Sequence, residues 1–113
     1  MMTIEKCRAV LDRYEQVLTK EYFGSDIDHL RSMIPKMRVM LDELHKHEWN
    51  LAIASITDER TFKQTVTEMT AQREKFMRWL GFMQGAFWSM ETYTIDDLKA
   101  HNKPDNEPFD QNK

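Results

Sequence analysis

The sequence predicts an all-α fold: a bundle of two helices packed on a long third helix, then a short C-terminal helix and a disordered tail. Three observations predict it. Apolar residues recur at steps of three and four along most of the chain, the spacing of helices that bury one face. Only three Gly and three Pro occur in 113 residues, too few for the turns of an all-β sandwich. Hydrophobic residues make up 41% and charged residues 31%, enough for one packed core and a solvated exterior. This length accommodates one domain, which the patterning places at residues 1–103, with 104–113 as an acidic tail.

The first helix starts after Thr3, an N-cap candidate with Glu5 in the first turn. Its seam is Ile4, Cys7, Leu11, Tyr14, Leu18 and Tyr22, widened by Val10 and Val17, and Gly24 closes the helix or the turn just after it. Ser25 or Asp26 caps the second helix, whose seam is Ile27, Leu30, Ile34, Met37, Leu41 and Leu44. Pro35 lies inside that seam, where a proline costs about 3 kcal/mol. The periodicity runs through it in phase, which favours one kinked helix reaching about Trp49 over two pieces with Ser32 as a cap. Residues 50–56 are apolar without a clear period, fitting a helical extension or a buried linker.

Thr57, Asp58 and Glu59 read as the next helix start. The third seam runs Phe62, Val66, Met69, Arg73, Phe76, Leu80, Met83, Phe87 and Met90. Such a helix, over residues 58–90, is about 50 Å long and exceeds what the first helix can cover. The remaining helices stack along it, or part of it packs on a second copy. Its end is apolar nearly all round, through Trp79, Phe82, Ala86 and Trp88, and so expects burial on several sides. Thr94 and Asp97 form a capping box for a short last helix, which Lys103-Pro104 stops.

Gly81 and Gly85 form a Gly-x-x-x-Gly pair on one helix face. Two glycines cost a helix about 2 kcal/mol against alanine, so some close approach is expected in return. A tight crossing within the monomer, a surface for self-association or a partner, and a ligand on bare backbone each supply one. Trp79, Gly81, Gln84, Gly85 and Trp88 are the candidate association residues. Arg73, at a seam position, either snorkels outward, pairs with a carboxylate such as Glu15 or Asp42, or joins Arg78 and Tyr14 in a pocket for a phosphate-bearing ligand. The other basic residues, Arg31, Lys36, Arg38 and Lys75, read as a solvated face.

Other chemistries find little support. His45, His47 and Glu48 do not share a helix face, and no His-Glu-x-x-His occurs, so neither metal nor cofactor is expected. Cys7 sits on a seam, where a thiol behaves as a small hydrophobe. No Gly-x-Ser-x-Gly elbow or phosphate-cradling glycine loop is present, which argues against an enzyme. A net charge of −3 provides no general attraction for nucleic acid or anionic lipid. The sequence has no run of about 20 apolar residues, a charged N-terminus and one cysteine. Those features predict a cytoplasmic protein with no membrane partner.

The segment from Glu74 to Trp88, continued by residues 93–99 and Asn102, resembles the C-terminal half of small uncharacterised accessory proteins of tailed bacteriophages. Its Arg78-Trp79-Leu80-Gly81-Phe82 core, Gln84-Gly85 pair and short capped helix carry the likeness, with a fainter echo at residues 28–30 and 33–35. It covers about a third of the chain, and residues 46–61 depart from the pattern. The resemblance implies a phage-encoded accessory protein acting in the bacterial cytoplasm; the leading functional expectation beside it is a non-enzymatic, self-associating protein that binds a host or phage protein. The resemblance transfers no activity to any particular residue.

Overall fold

The structure, a computed structural model, describes residues 2–21 and 25–103; for Lys20, Glu21, Ser25, Asp26 and residues 54–57 it describes the backbone alone. Four helices follow in order: α1 (Ile4–Glu21), α2 (Ser25–Thr57), α3 (Glu59–Ser89) and α4 (Ile95–His101). No strand occurs among the described residues. The expectations for Tyr22, Gly24, the caps at Ser25 and Asp26 and the tail at 104–113 lie outside what is described.

Helix α1 begins where its cap predicts. The Thr3 hydroxyl accepts the Lys6 N–H at 3.1 Å, satisfying one of the orphan donors of the first turn. Helix α2 is continuous through Pro35 and does not stop near Trp49; it runs on to Thr57. The 50–56 segment is therefore a helical extension and no buried linker, with Ala52 and Ile53 exposed. Ser32 caps nothing, because its hydroxyl donates to the His29 carbonyl of its own helix at 2.6 Å. Asp58 alone separates α2 from α3 and accepts from the Arg60 N–H and the Thr61 hydroxyl. Those two donors hold its carboxyl below the usual range.

Helices α2 and α3 thus form one long antiparallel hairpin. Gln72 donates to Glu43 at 3.2 Å, and His47 lies 3.9 Å from Glu68, so the pairing runs from the turn downwards. Helix α1 lies antiparallel to α2, tied by Arg8–Asp42 at 3.0 Å and by Arg38 to Asp12 and Glu15 at 2.7 and 2.9 Å. The Arg38 guanidinium holds the Glu15 carboxyl below its ordinary value. Arg31 reaches back to the Leu18 carbonyl at 3.0 Å, one of the last carbonyls of α1, where a cation also suits the helix dipole.

The core lies where all three seams meet. Leu11, Tyr14 and Leu18 of α1 pack with Ile34, Met37 and Leu41 of α2 and with Phe76, Leu80, Met83 and Phe87 of α3. Each such buried side chain contributes about 1.5–3 kcal/mol. Cys7 joins them, and burial pushes its thiol up to about 11. Helix α1 has 18 residues against 33 in α2 and 31 in α3, so it covers only the half of the hairpin nearest α4. The other half projects as a two-helix arm, and the described chain measures 49 × 30 × 18 Å.

Candidate interaction surface

The C-terminal half of α3 turns two faces to two environments. Phe76, Leu80, Met83, Gln84 and Phe87 are buried, following the 3-4 spacing. Gly81 and Gly85 lie on the opposite face and are exposed. Among the described residues, a Cβ built on either glycine would meet nothing within 4 Å, so no crossing between described helices explains the pair. Phe82 and Trp88 flank it, 58% and 54% exposed. Among the described residues this end of α3 is therefore not buried all round, and no contact there offsets its helix-weakening glycines. A smooth strip of bare backbone between two large apolar side chains is what remains.

Only part of the association set shares this face. Gly81, Gly85 and Trp88 do; Trp79 lies half-buried against the core, at the seam between α2 and α3. Gln84 points inward and is 7% exposed. Its amide donates to the Tyr14 hydroxyl at 3.1 Å and exchanges two hydrogen bonds with Asn102 at 2.8 and 3.1 Å. Gln84 is a structural residue. A polar side chain in the 3-4 register of the buried seam was the signal that could have placed it there.

The predicted anion pocket does not assemble. Tyr14 is fully buried, with its hydroxyl 2.6 Å from His101 Nδ1. Burial raises the Tyr14 phenol well above its ordinary value. Arg73 pairs with neither Glu15 nor Asp42; it donates to the Met2 carbonyl at 3.2 Å and lies 3.5 Å from Glu48. Arg78 stands apart from both, beside the α2–α3 seam. Charge and aromaticity alone group those three residues, and the helical phase separates them.

Arg78 keeps different company. With Lys36, His29, Trp79 and Phe82 it lines a groove of about 420 Å³ between α2 and α3. Lys75, beyond it, holds its ammonium 5.9 Å from the Trp79 ring centroid. Among the described residues, no carboxylate lies within ion-pair distance of Lys36, Lys75 or Arg78. His29 meets Phe82 edge-on at 6.3 Å. The glycine strip therefore carries an aromatic flank and, beyond it, three cations with no carboxylate partner among the described residues. Sequence reading missed Lys36 and His29 here, because only the antiparallel register of α2 and α3 brings them beside residue 78.

Among the described residues no three His, Cys, Asp or Glu side chains stand close enough to hold a metal ion, and no described helix is long and apolar enough to cross a membrane. Compared with protein-family models, curated proteins and solved structures, the chain matches none.

Proposed function

We propose that this protein is a non-enzymatic accessory protein that works by binding another protein, and that the glycine strip of α3 is where the partner docks. The bare strip at Gly81 and Gly85 between exposed Phe82 and Trp88 carries the reading. A partner helix can approach such a backbone closely, and the two aromatics supply the anchoring area that interface hot spots need. The adjacent cations Lys36, Lys75 and Arg78 select an acidic amphipathic helix. In the phage context that the resemblance implies, the partner is a host or phage protein in the bacterial cytoplasm, a defence component among them.

Capture from bacterial lysate by tagged protein tests this. Wild-type protein is expected to retain one acidic partner, with retention falling as salt is raised. Gly85→Leu, which fills the strip, and Trp88→Ala are each expected to lose it while helical circular dichroism stays unchanged. Equal capture by the two variants overturns the docking face.

A second reading has its own support. Two unpaired cations beside Trp79 and Phe82 also suit a phosphate-bearing small ligand such as a nucleotide signal. Lys36 and Arg78 then replace the dispersed trio of Tyr14, Arg73 and Arg78. A rise in melting temperature with a nucleotide, absent in Arg78→Ala, identifies that case; no rise across a nucleotide panel removes it.

A further inference from the structure

The arm of the α2–α3 hairpin continues the seat in which α1 lies, with α1 missing from it. On α2, Arg38 and Asp42 pair with α1, and Trp49 and Ile53 follow on the same helical line. On α3, Phe62, Val66, Met69 and Arg73 extend the seam that buries Phe76 and Leu80. Between the two helices runs a groove of about 580 Å³, walled by Leu51, Val66, Met69 and Thr70, which continues past Met2 and Arg73 to Met77 and Asn102. Trp49 is 68% exposed, and Ile53, Phe62 and Val66 are all open. A bundle seam with one helix ending halfway leaves this surface to water.

We infer that a second copy of this chain fills it: two arms lie antiparallel, groove to groove, and close a four-helix bundle whose ends abut the N-termini of the two α1 helices. Three features select a second copy. The groove continues an interface already made within the chain, so its register suits helices running along α1's axis. Residues 45–73 carry four cations against four carboxylates, so two arms meet with no net repulsion. An arm face is roughly 20 Å long and 20 Å wide. Two such faces cover about 800 Å² in projection, the size of a weak, concentration-dependent interface. The pairing is isologous, each groove being lined by the other, and it closes without a third component. It leaves Gly81, Gly85 and Trp88 uncovered, and so is independent of the docking face above.

Size-exclusion chromatography with light scattering across the micromolar range tests the assembly. Wild-type protein is expected to show twice the 13.6 kDa chain mass. Val66→Glu, which places a charge in the groove, and Thr70→Arg, at an exposed rim position, are expected to halve that mass with helical circular dichroism retained. If Val66→Glu unfolds the chain, Thr70→Arg alone decides. Gly85→Leu keeps the doubled mass. A single-chain mass for the wild type overturns the inference, and so does a doubled mass that survives folded Val66→Glu and Thr70→Arg or is lost in Gly85→Leu.

Discussion

Tyr14 joins three helices through one hydroxyl. Its oxygen accepts from the Gln84 amide and shares a second hydrogen bond with His101 Nδ1 at 2.6 Å. Its ring packs 4.7 Å from Phe87 and 5.7 Å from Tyr93. Tyr14→Phe keeps the packing but strands a buried amide donor and a buried imidazole nitrogen, and is expected to lower stability by about 1–3 kcal/mol in urea denaturation. The same pair of proteins gives the pH sign. The folded state holds the phenol's value above the ordinary 10, so below pH 10 the group is protonated in both states and its contribution is constant. Above it, the unfolded chain ionises first, and wild-type stability falls by about 1.4 kcal/mol per further pH unit until the folded value is reached. The Phe variant lacks this alkaline loss. A variant that loses stability above pH 10 as steeply as the wild type refutes the assignment.

At the scale of elements, the helix ends explain the chain's path better than the helix interiors do. Helix α3 stops in a Schellman turn: the Glu91 N–H donates to the Trp88 carbonyl at 3.0 Å and the Thr92 N–H to the Phe87 carbonyl at 2.9 Å. That turn requires left-handed backbone at Glu91, where φ is 61°, a conformation costing a non-glycine residue about 1 kcal/mol. Glu91→Gly is therefore expected to raise the urea midpoint, by about 0.5–1 kcal/mol in stability. An unchanged or lowered midpoint contradicts the strain. The turn redirects the chain so that Thr94 and Asp97 close their reciprocal capping box. Helix α4 then lies with His101 against Tyr14 and Tyr93. The capping box was legible in advance because it consists of two side chains at fixed spacing. The Schellman turn was not, because glutamate is a poor marker for left-handed backbone.

For the molecule as a whole, the unequal helix lengths set the distribution of stability. The lower hairpin is packed on α1 and α4, while among the described residues the arm above Arg73 is held chiefly by α2–α3 contacts. Local opening should cost less where fewer apolar contacts must break. Amide exchange of a monomeric variant such as Thr70→Arg is expected to be much faster for residues 46–70 than for 30–44 and 76–87. Arm pairing in the wild type would slow the first group selectively. Uniform protection in the monomeric variant would show that the arm is not a separate stability region.

Periodicity determined the helices, their buried faces and two of their caps, because each depends on residues within a turn of one another. It placed Leu11, Met37 and Phe76 in the core and Thr3, Thr94 and Asp97 at helix starts. Tertiary structure decided what lies opposite each seam. It left the glycine strip open, turned Gln84 inward to Tyr14, separated Arg73 from Arg78 and extended α2 past Trp49 into an arm. The Gln84 and Arg73 placements rest on contacts with Tyr14 and Met2, 70 and 71 residues away, which register and helix length govern and no local spacing encodes.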